Sequence, residues 1–429
     1  MKKVKRRATA ALLIAAMLII GVAVYLVRLA DDGGAWATYF SSSVAAGTIT
    51  DRNGTVLYTS DGSEYAFAED WATRTACFQL IGDVSGNVGT GAIGQFRDKL
   101  SGYNFITGMS SGQTLRLTVD ASLNVKAYAA LAGRNGAVIV MNYKTGEILC
   151  MVSAPSMDPA NPGNNPADGT YLNKAVSAAF VPGSVFKLVT LTAAIANIDD
   201  LYDRQFWCGG SAVVGGATLN CTSAHGSQTI EQALANSCNC AFSELAQALG
   251  PELLAQYAEK LGLTAAHELD GITTAAGTFE KAEAGTIDLS WSGIGQYHDM
   301  VSPYAMLRLT AAVANGGLLM EPTLIGRGPL SGTTRLMAAE TAGKVADMMD
   351  YNVEYAYGTW NFPGLSICAK TGTAEVGDGT SHSWFTGFLA DEAHPYAFVV
   401  MIEHGGAGLA NAGSVANTVL QAAVAENNG

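Results

Sequence analysis

Apolar positions along the chain fall into three patterns. The first is an unbroken run, "ATAALLIAAMLIIGVAVYLV", at residues 8–27. It carries no charge, and ~20 apolar residues are what a helix needs to cross a bilayer. The second is alternation. "AGTITDRNGTVLYTS" (46–60) alternates about Asn53-Gly54, which predicts a hairpin closed by a type I′ turn. "TLRLTVD" (114–120) predicts a strand, and "GAVIVMNYKTGEILCMVS" predicts two buried strands folded about Lys144-Thr145-Gly146. Further strands are expected at 365–370, 382–390 and 396–403. The third pattern is helical: "AIGQFRDKLSG", "ASLNVKAYAALAG" and long apolar helices over 185–197, 229–249 and 303–315. Between these lies "APSMDPANPGNNPADG" (154–169), a long loop by its Pro, Asn and Gly content. It reads either as a linker or as a functional loop over a cleft. The patterns describe an α/β or α+β chain with one large domain and no internal repeat.

Composition changes this picture in three ways. Of 429 residues, 49% are hydrophobic, enough for a large core. The net charge of -13 argues against a nucleic-acid partner, because phosphate neutralisation needs clustered Lys and Arg. The basic residues that do cluster are Lys2, Lys3, Lys5, Arg6 and Arg7, just before the apolar run. The positive-inside rule then puts residues 1–7 in the cytosol, a membrane anchor at 8–28 and the rest outside the cell. A cleaved secretory signal is the alternative. However, the apolar run exceeds a typical signal core, and the nearest small-x-small site, Ala35-Trp36-Ala37, lies well past it.

Of the seven cysteines, none shows metal-ligand spacing, and Cys238-Asn239-Cys240 is too tight for a CxxC pair. Cys208 and Cys221 flank the hairpin-like "CGGSAVVGGATLNC" and are the candidate disulfide. The six histidines show no ligand spacing and read as structural or surface residues.

Candidate chemistry begins at "FVPGSVFKLVTLTAAIAN" (180–197). Pro182-Gly183 turn the chain into a helix, and Ser184 and Lys187 share one face at i and i+3. A lysine there can take the serine proton only when neutral. At an ordinary pKa of ~10.4, about one lysine in 2,500 is neutral at pH 7. Apolar surroundings lower that pKa, so they suit a general base. "TIEQALANSCNCAFSELAQ" adds Ser237 and Asn239 between two helical stretches: a second hydroxyl to relay a proton and an amide to hold a peptide group. "LSICAKTGTAEV" adds Lys370, Thr371, Gly372 and Thr373 at a strand end. There Gly372 would let a ligand approach the backbone, the two hydroxyls could bind a carboxylate, and the Thr373 N–H could serve an oxyanion. Each motif alone is weak, since Lys144-Thr145-Gly146 repeats the last tripeptide in a turn. Their order along the chain is what discriminates.

That order resembles the penicillin-recognising serine acyltransferases. "PGSVFK", "GIGQYHDMVSPYAMLRLTAAVANGG" and "AKTGTAEV…SWFTGFLA" are similar, in sequence, to the transpeptidase domain of high-molecular-mass penicillin-binding proteins. "AGTITDRNGTVLY" and "IGDVSGNVGTGAIGQFRDKLSG" are similar to the N-terminal module of the monofunctional, class B members. Two departures stand out: Ala46 replaces the usual Arg of the "RGxIxDRxG" box, and Val185 replaces a frequent hydroxyl residue.

The resemblance implies an α+β fold, with an antiparallel sheet flanked by helices and an all-helical subdomain. It also implies a small, mostly-β module at 29–114 and a transpeptidase domain at 115–429. Ser184 would be the nucleophile, Lys187 its base and Ser237 a proton relay. Asn239, Lys370, Thr371, Gly372 and Thr373 would bind substrate, and the N–H groups of Ser184 and Thr373 would form the oxyanion hole. Stem pentapeptides of peptidoglycan would be substrates and β-lactams inhibitors, with no cofactor or metal. A polytopic glycosyltransferase of the elongation or division machinery is the expected protein partner. A D,D-carboxypeptidase or β-lactamase would share the three motifs, and a scaffold or β-lactam sensor is the non-enzymatic alternative. The intact Ser184, Lys187, Ser237, Asn239 and Lys370 argue against the last.

Overall fold

Small, β-branched and apolar residues alternate faces along "GAVIVMN". The structure, a computed structural model, turns that alternation into a strand buried on both sides. It describes residues 2–40, 46–102, 111–326 and 332–426. Strand by strand, β1 (Gly47–Thr50), β2 (Val56–Ser60), β3 (Tyr65–Phe67) and β4 (Gln113–Arg116) form a first, small sheet in the order β3-β2-β1-β4. β5 (Gly136–Asn142), β6 (Ile148–Ala154), β7 (Ile367–Glu375), β8 (Ser381–Leu389) and β9 (Tyr396–Ile402) form the main sheet. Its order is β7-β8-β9-β5-β6, antiparallel throughout.

The main sheet is the middle of three layers. Even-numbered residues of β5 and β9, Val138, Val140, Phe398 and Val400, pack on α2 (Ala121–Leu131) and on the C-terminal helix Ser414–Glu426 through Leu123, Leu131, Val415 and Leu420. Odd-numbered Ile139, Met141, Val399 and Met401 join the larger core on the other face. That core contains α3 (Lys187–Asn197), α4 (Asn239–Lys260), α5 (Pro303–Ala314) and α6 (Ala339–Asn352). With both faces covered, a one-residue slip in register would exchange the two faces of the strand, so the register is strongly specified.

The N-terminal helix α1 runs Lys2–Phe40 and contains an exposed apolar stretch, Lys3–Val27, with mean hydropathy 2.8. It is long and apolar enough to cross a membrane and includes nearly all of the expected anchor. The segment after it holds as much helix as strand, rather than being mostly β. Short helices between residues 71 and 101 bring Leu80, Ile93, Phe96 and Leu100 into one cluster with Ile49, Leu57 and Tyr58.

The hairpin at Asn53-Gly54 exists, but not with a type I′ turn. That turn needs two residues of positive φ, and only Gly54 has it, at +91°. Instead the Asp51 carboxylate accepts the Asn53 and Thr55 N–H groups at 2.8 Å each, and the Asp51 N–H bonds Thr55 O at 2.9 Å. A side chain that supplies backbone acceptors stabilises a longer turn.

The 154–169 loop ties the N-terminal segment to the sheet. Arg74 grips Asp158 with two bonds, Nε to Oδ1 at 2.6 Å and Nη2 to Oδ2 at 2.8 Å. Ser156 donates to Thr75 O at 2.6 Å, and Gln79 to Pro155 O at 2.7 Å. A bidentate guanidinium–carboxylate pair has the geometry for a junction. The loop does not line the cleft described next.

Candidate active site

Three backbone features bring the sequence motifs together. The first is the turn before α3. Gly183 sits at φ +55°, and its N–H donates to Gly295 O at 2.7 Å. A Cβ on Gly183 would lie 2.9 Å from Thr373 O, so only glycine lets this turn press against β7. Residues Gly183–Phe186 form a 3₁₀ turn that runs directly into α3 at Lys187. Ser184 is therefore held at the helix entrance, between β7 and the 293–295 segment.

The second feature is the break between Ile230–Ala235 and α4. Ser237 has φ +49°. The Cys238 N–H bonds Ala233 O at 2.9 Å, and the Ser237 N–H bonds Leu234 O at 3.0 Å. This is a Schellman C-cap, whose left-handed position normally belongs to glycine. A serine there costs about 1 kcal/mol and aims both its carbonyl and its hydroxyl at Lys187.

The third is β7, the sheet edge that carries Lys370 to Thr373. The expected strand end is instead mid-strand: pairing with β8 continues to Glu375↔Ser381. Gly372 also has a packing role that its spacing did not show. A Cβ there would meet Pro182 O at 2.9 Å and Val185 Cγ1 at 3.1 Å. The residue makes room for the Ser184 turn. The apolar Val185, itself fully buried, fills that contact.

The side chains converge on Lys187, which has no exposed surface. Its Nζ lies 3.1 Å from Ser184 Oγ and 3.2 Å from Ser237 Oγ. It donates to Ser237 O at 2.6 Å and to Asn239 Oδ1 at 2.8 Å. Asn239 is oriented by its amide N–H, which donates to Asn220 O at 3.0 Å. Lys370 Nζ reaches Ser237 Oγ at 3.0 Å and Thr371 O at 2.9 Å. Ser237 thus stands between two buried amines.

Two of the Lys187 partners, a carbonyl and an amide oxygen, can only accept. A neutral amine has two N–H groups for them and a lone pair left for the Ser184 hydroxyl. An ammonium satisfies the same two and donates its third proton to a hydroxyl. Both protonation states therefore find partners without movement of the side chain. Burial lowers the Lys187 pKa to about 8, which makes about a tenth of the amine neutral at pH 7. Burial, and then the charge of Lys187, push Lys370 well down too. Two ammoniums about one hydroxyl disfavour each other, so the direction holds for the pair: together they carry less than two protons.

A cleft of about 550 Å³ opens over this group, lined by Ser184, Asn220, Ser237, Asn239, Trp291, Gln296, Thr371 and Thr373 among others. The structure places every expected site residue in or under it. Tyr357 was not expected: its buried OH accepts from the Thr371 N–H at 3.1 Å and lies 3.2 Å from Thr371 Oγ1. Nothing in its local spacing marks it, since the contact spans two separate elements.

One cysteine expectation needs correction. Cys208 and Cys221 form no disulfide; all seven cysteines are free thiols. Cys208, Cys221, His225 and Cys238 place their ligand atoms within 4.8 Å of one another, a potential metal set that linear spacing did not reveal.

A serine within reach of a buried lysine, under a cleft at the edge of an antiparallel sheet, is the arrangement expected of the penicillin-recognising serine acyltransferases. Comparison with known proteins agrees. Residues 136–423 match the family model described as the penicillin binding protein transpeptidase domain. The chain is 29% identical over 328 residues to the peptidoglycan D,D-transpeptidase PbpA of Mycobacterium tuberculosis, covering 68% of this chain and 66% of that protein. It is 30% identical over 294 residues to stage V sporulation protein D of Bacillus subtilis, covering 62% of this chain and 45% of that one.

Among solved structures, the D,D-transpeptidase domain of a peptidoglycan glycosyltransferase from Eggerthella lenta superposes with a TM-score of 0.75 at 27% identity, over 90% of this chain and 100% of that one. Penicillin-binding protein A from M. tuberculosis, as its penicillin G acyl-enzyme complex, gives 0.74 at 25%, over 89% and 100%. The chain belongs to the penicillin-binding protein transpeptidases, among the class B members. The first of these relatives is matched over just under two thirds of its own length.

Proposed function

We propose that the chain is a peptidoglycan D,D-transpeptidase that cross-links stem peptides through an acyl-enzyme on Ser184 and is inhibited by β-lactams. The observation that carries this reading is the 3.1 Å approach of the fully buried Lys187 amine to Ser184 Oγ at the floor of the cleft. Ser184 attacks the penultimate D-Ala carbonyl while Lys187 takes the hydroxyl proton. The oxyanion is held by the N–H groups of Ser184 and Thr373. Ser237, between the two lysines, passes a proton to the departing D-Ala amine as the peptide bond breaks. Asn239 holds the donor peptide, and Thr371 and Thr373 hold its carboxylate beside Lys370. The amine of a second stem peptide then attacks the acyl-enzyme, a new peptide bond forms, and Ser184 recovers its proton. β-Lactams acylate the same serine.

Residues 8–28 anchor the chain in the membrane with residues 1–7 in the cytosol. The rest lies outside the cell, as residues 29–114 and a catalytic domain over 115–429. The basic flank of α1 supports this orientation. A polytopic glycosyltransferase is the partner whose product this activity would cross-link.

The test is labelling of the full-length, detergent-solubilised chain with a fluorescent penicillin. The wild type should label covalently and Ser184→Ala should not. Equal labelling of both, or of neither, defeats the assignment. With a defined pentapeptide and acceptor, cross-linked dimer should accumulate. Free D-Ala without dimer would make the chain a carboxypeptidase.

A further inference from the structure

Beside the catalytic group lies a second cluster that the transpeptidase mechanism does not use. Cys208 ends the strand Phe206–Cys208, and Cys221 follows the hairpin strand Ala217–Asn220. His225 precedes the strand Gly226–Gln228, which pairs back on Phe206–Cys208. Cys238 is the middle residue of Ser237-Cys238-Asn239 and the N-cap of α4. Four elements thus deliver one ligand atom each, all within 4.8 Å of one another. We propose that Cys208, Cys221, His225 and Cys238 bind one zinc ion, and that this ion fixes the turn carrying Ser237 and Asn239.

The distances fit a tetrahedral ion better than a disulfide. Zn–S bonds of ~2.3 Å and Zn–N bonds of ~2.0–2.1 Å put two sulfurs about 3.8 Å apart, and a sulfur and nitrogen about 3.5 Å apart. The Cys221 and Cys238 sulfurs are 3.9 Å apart, and Cys221 Sγ is 3.7 Å from His225 Nδ1. A disulfide needs ~2.05 Å.

The ligand types fit as well. Three thiolates and one imidazole are a structural zinc set. His225 Nε2 lies 3.0 Å from Ser223 Oγ. A hydrogen bond there fixes the tautomer that turns the Nδ1 lone pair toward the sulfurs. Cys208 and Cys238 are buried and Cys221 is half-buried, so the centre is closed by protein on most sides. Outside the cytosol, bare thiols this close would oxidise; zinc coordination protects them.

The link to the catalytic turn is direct. Cys221 Sγ accepts the backbone N–H of Asn239 at 3.2 Å, a contact a zinc-bound thiolate strengthens. Asn239 in turn holds Lys187 through Oδ1. Cys238 sits between the two motif residues, so its coordination pins the strained Ser237 backbone. Metal binding stands on these four residues alone; its effect on acylation rests on the proposed function.

The test uses the full-length chain purified from zinc-supplemented cells. Metal analysis should find about one zinc per chain, and replacement by cobalt should give intense thiolate-to-cobalt absorption. Alkylation should spare Cys221, the half-buried ligand thiol, until a chelator is added. Cys208→Ser combined with His225→Ala should lose the zinc, whereas Cys150→Ser, in β6 away from the cluster, should keep it. Should the double variant not fold, the cobalt spectrum and thiol protection of the wild type still decide.

Wild type without zinc or cobalt–thiolate absorption, zinc retained in the folded double variant, or a Cys221–Cys238 disulfide in the metal-supplemented protein would overturn the proposal. Chelation should also slow penicillin acylation at least about tenfold, with recovery on adding zinc. An unchanged rate would overturn the coupling to Ser237. A chain that binds zinc but never labels at Ser184 would leave the metal site standing and sink the transpeptidase reading instead.

Discussion

The tripeptide Lys-Thr-Gly occurs twice in this chain, and the two copies share nothing but their letters. At 144–146 it is a solvent-facing turn. Lys144 is exposed, donates to Asn315 Oδ1 at 2.8 Å and lies over the Tyr143 ring. The Asn142 side chain accepts the N–H groups of Lys144 and Thr145, and Gly146 supplies φ +82°. At 370–372 the same letters are a strand. Lys370 has no exposed surface and holds Ser237, while Gly372 lies under the Ser184 turn. A lysine in a turn keeps its hydration and its ordinary chemistry. One that strand pairing forces inward, beside a second amine, loses hydration and with it part of its proton affinity.

Substitutions made in parallel at the two copies can break or sharpen this contrast. The largest effect is expected for lysine. Lys370→Ala should slow acylation by a fluorescent penicillin about 10²–10³-fold, the scale of losing a preorganised group around the reacting atoms. Lys144→Ala should leave the rate within about threefold. Comparable losses from both would erase the distinction.

Glycine comes next. Gly372→Ala pushes against Pro182 O and Val185, and Gly146→Ala against Glu321 O at 2.5 Å. Both should lower stability in denaturant melts, by about 1–3 kcal/mol. Only Gly372→Ala should also slow acylation, about tenfold or more, because it moves Ser184.

The pH dependence is subtler. Lys187 must be neutral to accept the Ser184 proton, and its pKa is lowered to about 8 by burial. Acylation should therefore rise with pH through about 8 and level off above it, as the base form fills. Lys370→Ala removes the neighbouring like charge, so the residual activity should rise at a higher pH; Lys144→Ala should not move the profile. An unmoved profile in Lys370→Ala would show that Lys370 is already uncharged in the wild type. The smallest effect is expected at Tyr357. Tyr357→Phe removes the hydroxyl that meets both the Thr371 N–H and Thr371 Oγ1, and should cost about three- to tenfold in acylation and about 1 kcal/mol in stability.

The legibility of the site followed the range of the interaction. Ser184 and Lys187 are one turn apart, so their pairing could be read from i and i+3 spacing. Ser237 and Asn239 were legible as a turn between helices, but the left-handed serine was not, because backbone strain is tolerated only where surrounding contacts over-determine it. The packing of Gly372 against the Pro182 carbonyl was not legible, because that carbonyl comes from a segment far away in sequence. The cysteines were misread for the same reason. Spacing suggested a Cys208–Cys221 bridge, whereas pairing of Gly226–Gln228 with Phe206–Cys208 and the turn before α4 add His225 and Cys238 to the group.

What the sequence alone determined is whatever short-range physics enforces. The charge-free run makes a helix long enough to cross a bilayer, and short continuous apolar runs about a turn make strands covered on both faces. Glycine and proline set the turn that presents Ser184. Tertiary structure alone decided how Lys370 and Lys187 come to be dehydrated about one hydroxyl, what Gly372 packs against and which thiols meet. Those outcomes depend on burial and on contacts between distant segments. Neither is a property of a residue and its neighbours in the chain; both arise only when the sheet edge, the serine turn and α4 close on one another.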